Sequence, residues 1–173
     1  GIVNRLPGIM TLLIMGTVTA FLFRQYEPLI QQASIFAIFI TLITGTAGNT
    51  GTQSLAVAIR KIGLHEEEQS FWKVLVQEGT TGLGIGLISG VVVFGIVSLW
   101  LGNIVLGGII GFAMFASIFV AALTGTCIPF ALDKFNFDPS IASGPFITTV
   151  NDLTSVLVYF TIVSQFISVY LAK

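Results

Sequence analysis

Apolar residues in this chain are gathered into long blocks, not spaced at the period of two that marks half-buried strands. Four stretches carry no charge at all: Leu6 to Phe23, Pro28 to Ile59, Gly79 to Leu132 and Leu153 to Ala172. A membrane-spanning helix needs about 20 mostly apolar residues, and the third stretch is long enough for two. The pattern therefore predicts five spanning helices, over about residues 7–23, 32–59, 78–101, 105–132 and 141–171, the last starting at Ile141 or Phe146. Pro7 suits a first helical position, where its missing N–H is not needed. Gly102-Asn103 marks the turn between the third and fourth spans. The fold class expected is all-α and polytopic, a single transmembrane domain over residues 1–173.

Composition closes the alternative. Charged residues are 9% of the chain, apolar residues 54%, and the mean hydropathy is +0.97. A soluble fold of this size would lack the polar side chains to cover its surface. The net charge of −1 gives no support to nucleic-acid binding. Cys127 is the single cysteine, so no disulfide forms within the chain. The first apolar run is too long for a secretory h-region and no small-residue cleavage site follows it. Because the sequence starts at Gly1 without Met, it is expected to be a domain of a longer protein, with further chain upstream. Five spans put the termini on opposite sides. An N-terminus in the cytoplasm places Arg5, Arg60, Lys61, Lys73 and Lys134 inside and only Arg24 and Lys173 outside, which favours N-in and C-out. A multi-pass protein of the cell (inner or plasma) membrane is expected.

Several features read as structural. His65-Glu66-Glu67-Glu68, in the most polar loop, reads as a solvated segment. Gly79, Gly82, Gly86 and Gly90 form a small-residue stripe that lets helix backbones approach in lipid. Thr44-Gly45-Thr46 recurs as Thr124-Gly125-Thr126, and Thr80-Thr81 as Thr148-Thr149, a faint echo of a parallel duplication.

Three features do not suit a merely structural membrane helix. Asp152 is a carboxylate at bilayer depth, about 16 Å or 9 Å inside the fifth helix for the two possible starts. Such a group is costly unless it faces water, a partner or an ion, and no predicted span holds an internal Arg or Lys. From Thr44 to Ser54, Ala47 is the one apolar side chain. Lipid cannot satisfy so many polar groups. Its glycines weaken the helix and open a route to backbone carbonyls, and Asn49 and Gln53, four apart, share a face. Third, Asp138-Pro139 precedes the fifth span, as a cap with Pro at the first position or as an anion at the mouth of a path. Glu78, placed at the start of the third span, carries the same two readings. The candidate cation ligands are Asp152, Asn49, Gln53, Thr149, Gly48, Gly45, Asp138 and Glu78. Carboxylate, amide and hydroxyl oxygens are hard donors, which favours Mg²⁺, with Mn²⁺ or Ca²⁺ as alternatives, over Cu or Zn. Two chains about a two-fold axis would bring two Asp152 carboxylates to one divalent charge.

Gly48-Asn49-Thr50-Gly51-Thr52-Gln53-Ser54, together with the run from Asp138-Pro139-Ser140 through Gly144-Pro145-Phe146-Ile147-Thr148-Thr149-Val150-Asn151-Asp152, resembles the membrane domain of the MgtE family of magnesium transporters and channels. The resemblance covers essentially the whole chain. It implies a homodimer with the ion path at the dimer axis, lined by the second and fifth helices, and Asp152 at the position of the acid that binds hydrated Mg²⁺. It also implies upstream CBS and N-terminal domains that sense Mg²⁺. Thr52 departs from the Asn that some members carry before the Gln.

The function expected is therefore a divalent-cation channel or transporter domain. The alternative is a secondary transporter coupled to H⁺ or Na⁺, with Asp152 as the protonated carrier. An enzyme is not expected: a serine type would want a deep histidine and an aspartyl type two deep carboxylates, whereas His65 lies in a loop and Asp152 stands alone. A non-transporting assembly domain would leave the deep carboxylate unexplained.

Overall fold

The computed structural model describes residues 2–64 and 70–172. The His65 to Glu68 run lies outside them. Among the described residues seven α-helices follow in order: α1 (Ile2–Gln25), α2 (Glu27–Gln32), α3 (Ile35–Ile38), α4 (Ile40–Gly63), α5 (Phe71–Leu101), α6 (Ile104–Lys134) and α7 (Pro145–Leu171), with a 3₁₀ turn at Pro139–Ala142 before the last. No strand occurs among the described residues. Five helical segments are long and apolar enough to cross a membrane, α3 and α4 together making the second. The five-span expectation is met.

Two boundaries differ in ways that matter. The third helix starts at Phe71, not near residue 78, because Phe71 and Trp72 add a further apolar turn ahead of Lys73. Glu78 therefore lies about two turns inside α5. The fifth helix starts at Pro145, so Ile141 belongs to the 3₁₀ turn, and Asp152 lies about 10 Å along α7. The first and fourth helices extend a few residues past the expected 7–23 and 105–132, so Pro7 lies inside α1 and not at its first position. Asn103 ends the α5–α6 turn as predicted, its Oδ1 accepting from Leu106 N at 3.0 Å, while Gly102 takes φ +63°. Glycine adopts that conformation at no steric cost.

α6 is the centre of the bundle and packs on α4, α5 and α7. Ile110, Met114 and Ile118 of α6 meet Ile43 and Ala47 of α4, Val93 and Val97 of α5, and Val156, Phe160 and Val163 of α7 in one buried cluster. The glycine stripe does what the sequence implied. A Cβ at Gly90 would stand 2.7 Å from the Gly111 carbonyl oxygen, at Gly86 2.9 Å from that of Phe115, and at Gly82 2.6 Å from the Ala122 Cβ. At Gly86 and Gly90 the two backbones touch. Outward residues such as Leu87, Ile88, Val91 and Trp100 are exposed, as a lipid-facing surface requires.

The second span is not one helix from residue 32 to 59. It breaks between Gln32 and Ile40. Phe36 is buried in the gap, and its carbonyl accepts a hydrogen bond from the hydroxyl of Tyr159 on α7. Tyr159 is itself fully buried, so this bond pins the interruption from across the bundle. α1 packs on α7 through its second half, and its first half is exposed. Phe23 packs edge-on against Phe160 at 5.7 Å, Tyr26 stacks on the same ring at 4.7 Å, and no residue of α1 is buried.

Candidate cation site on the face shared by α4 and α7

The polar segment of α4 stays helical from Thr44 to Ser54. The glycines expected to weaken it leave the helix unbroken. The glycines serve close packing instead. A Cβ on Gly125 of α6 would come within 3.0 Å of the Gly51 carbonyl carbon, and one on Gly51 would come within 2.6 Å of Asn151 Cγ on α7. Gly51 is thus where α4, α6 and α7 converge. One turn away, Gly48 is buried against Asp152, its α-carbon side 3.6 Å from Oδ1 when measured from a Cβ position.

This convergence leaves a groove on the outside of the bundle. Thr41, Thr44, Gly45, Gly48, Asn49 and Thr52 of α4 and Thr148 and Asp152 of α7 line a space of about 280 Å³. Asp152 is half-buried, whereas Asn49, Thr52, Thr148 and Gly45 are exposed in the single chain. The chemistry of the lining is one-sided. The hydroxyl of Thr44 donates to the Ile40 carbonyl at 2.9 Å, that of Thr52 to Gly48 at 2.8 Å and that of Thr148 to Gly144 at 3.3 Å. With their protons spent on the backbone, these threonines offer the groove acceptor lone pairs. Asp152 adds the negative charge, and no ion pair neutralises it among the described residues. No cluster of three or more His, Cys, Asp or Glu side chains occurs among the described residues either. The groove is an oxygen-rich, singly acidic surface at bilayer depth, suited to a hard cation that keeps much of its water.

The structure sorts the eight candidate residues. Asp152, Asn49, Gly48 and Gly45 come together in the groove. Gln53 is exposed on α4, one turn beyond Asn49, and does not line it. Thr149 is displaced by its neighbour: its hydroxyl donates to the Pro145 carbonyl at 2.9 Å, and Thr148 faces the groove. Asp138 is exposed and caps the 3₁₀ turn rather than α7, accepting from Ser140 N at 2.9 Å. That backbone bond holds its carboxyl below the ordinary carboxylate range. Glu78 is 6% exposed and shares the α6-facing edge of α5 with Gly82 and Gly86, away from the groove. Four threonines that line the groove, Thr41, Thr44, Thr52 and Thr148, are absent from the candidates that the sequence offered. The i, i+3 and i+4 spacing of Thr41, Thr44, Gly45 and Gly48 was the available signal.

The Thr-Gly-Thr echo is local only. All four hydroxyls bond back one turn, yet Gly125 packs on Gly51 while Gly45 faces open space.

Residues 40–162 match the family model MgtE, described as divalent cation transporter. The chain is 52% identical over 164 residues to a protein of Enterococcus faecalis named magnesium transporter MgtE, 94% of this chain but 36% of that one. A Bacillus subtilis protein of the same name is 38% identical over 167 residues, 95% of this chain and 37% of that one. One from Thermus thermophilus is 29% identical over 159 residues, 91% of this chain and 35% of that one. The chain thus spans little more than a third of the relatives it matches. The family is one of transporters and not of enzymes, as the residues implied. With a match that runs from the first turn of α4 into α7 and takes in every lining residue of the groove, the chain belongs to the MgtE family of divalent cation transporters.

Proposed function

We propose that this domain conducts a divalent cation, Mg²⁺ first, across the bilayer along the face shared by α4 and α7, with Asp152 as the acid that meets the ion. The observation that carries the reading is the groove itself. One carboxylate without a cationic partner stands among acceptor oxygens, about 10 Å along a spanning helix. Lipid cannot satisfy that surface. A second copy facing it about a two-fold axis would enclose the two grooves as one aqueous path, and two Asp152 carboxylates would balance a divalent charge. Asn49, Gly45, Gly48 and the threonines contribute oxygen acceptors to an ion that retains most of its waters. At about 30 Å³ per water, the 280 Å³ of one groove has room for such a shell. Hydration also argues for Mg²⁺ ahead of Ca²⁺ or Mn²⁺, because Mg²⁺ sheds its waters most reluctantly.

In this reading transport is passive, the N-terminus is cytoplasmic, the membrane is the cell membrane and regulatory domains occupy the sequence beyond this domain. The length of the relatives supports the last point. Uptake of Mg²⁺ into proteoliposomes, with voltage and pH gradient set independently, tests the reading. Uptake that follows voltage and collapses in Asp152→Asn supports it. Uptake that requires a proton or sodium gradient transfers the mechanism to a coupled exchanger.

A further inference from the structure

A second cavity is larger than the groove. It lies between the first half of α1 and the segment that leads into α7, about 530 Å³, and its walls include Arg5, Ile9 and Leu12 on one side and Ile141, Pro145 and Phe146 on the other. α1 is anchored at its far end by Phe23 and Tyr26 on Phe160, and here it stands away from the bundle. Gly8 lines the opening, and a Cβ there would meet nothing within 4 Å.

A gap of this size between membrane helices is filled by something in a bilayer. Its chemistry selects the occupant. Ile9, Leu12, Ile141 and Phe146 make an apolar wall of the kind that takes an acyl chain. Arg5 is the one charged residue of the lining, and its guanidinium has no hydrogen-bond or ion-pair partner among the described residues. Arg5 lies about 13 Å from the middle of α1, close to the edge of a hydrocarbon core about 30 Å thick. A headgroup phosphate sits at that depth. α7 begins at the same cavity with Pro145, its N-terminus without a side-chain cap, and the positive end of that 27-residue helix adds to the preference for an anion. The acidic side chain of the adjoining turn, Asp138, is exposed and does not line the cavity.

We propose that the space between α1 and the Ile141 to Phe146 segment binds one anionic phospholipid, its phosphate on Arg5 and one acyl chain along Ile9, Leu12 and Phe146. The site is separate from the cation groove and does not rest on its function. The test is native mass spectrometry of the protein released from nanodiscs of equal phosphatidylglycerol and phosphatidylcholine. Wild type retains phosphatidylglycerol over phosphatidylcholine. Arg5→Gln lowers that preference about fivefold, the worth of one basic side chain at a membrane surface, and Arg5→Lys restores most of it. Gly8→Leu fills the cavity and lowers retention of both lipids without loss of thermal stability. Arg24→Gln, at the other end of α1, changes neither. Unchanged preference in Arg5→Gln overturns the proposal, as does a Gly8→Leu protein that keeps its lipid but loses its partner copy, which would make the cavity an interface between chains.

Discussion

Gly125→Ala probes the packing that builds the site. The substitution adds one methyl on α6. Its ideal position lies 3.0 Å from the Gly51 carbonyl carbon and 3.2 Å from its Cα, and the Gly51 carbonyl oxygen is closer still. All three atoms are backbone, so no rotamer change relieves the contact. α4 and α6 must move apart by at least several tenths of an ångström, and Gly51 carries Asn151 and the α7 contact with it. Overpacking of this kind costs about 1–3 kcal/mol. The better helix propensity of alanine offsets at most about 1 kcal/mol, and less in a membrane, where the unfolded state keeps its helices. For a chain of this size each kcal/mol moves Tm by about 2–4 °C. The expected result is a Tm in detergent lower by several degrees. Gly84→Ala is the matched control, because its Cβ would meet nothing within 4 Å; it should melt at or above wild type. A Gly125→Ala protein as stable as Gly84→Ala would refute the claim that α4 and α6 touch there.

Other expectations follow from the same geometry. Tyr159→Phe removes the donor to the buried Phe36 carbonyl and should cost about 1–3 kcal/mol, with faster amide exchange confined to the α3–α4 break. Gly48→Ala leaves its methyl at an ordinary 3.6 Å from Asp152 Oδ1 and should keep cation uptake; Gly48→Leu should abolish uptake while the protein stays folded. The Asp138 cap has a depressed folded pKa, so its stabilisation is present above the unfolded value of about 3.9 and is lost only as pH falls through the lower folded value. Protection of the Ser140 amide should therefore be flat from pH 5 to 7, fall below about pH 4, and be lost at all pH values in Asp138→Ala.

What the sequence revealed depended on the kind of signal. Apolar block length located five spans, because bilayer thickness imposes a length that no tertiary contact overrides. Asp152 and the polar run through Asn49 stood out because polar groups are rare at such depth. The glycine stripe was readable on α5, but its partner Gly111 on α6 was not singled out, since a contact between helices is not written in either one alone. The break before Ile40 was invisible: no Gly or Pro lies between Gln32 and Ile40, and a buried Tyr159 far along the chain holds it. Thr149, the candidate from the sequence, stands about 100° of helix phase from Thr148, which lines the groove, and that phase follows from where α7 starts and how Asn151 seats against Gly51. Placing Glu78 at a helix start failed because Lys73 and Gln77 mask a helix that begins at Phe71.

The central claim is that Asp152 meets the transported ion. Voltage-driven Mg²⁺ uptake into proteoliposomes, wild type against Asp152→Asn, with both proteins matched for Tm and orientation, tests it most directly. The account predicts uptake in the wild type, insensitive to an imposed pH gradient, and a loss to near background in Asp152→Asn. Equal uptake by the two proteins would contradict it.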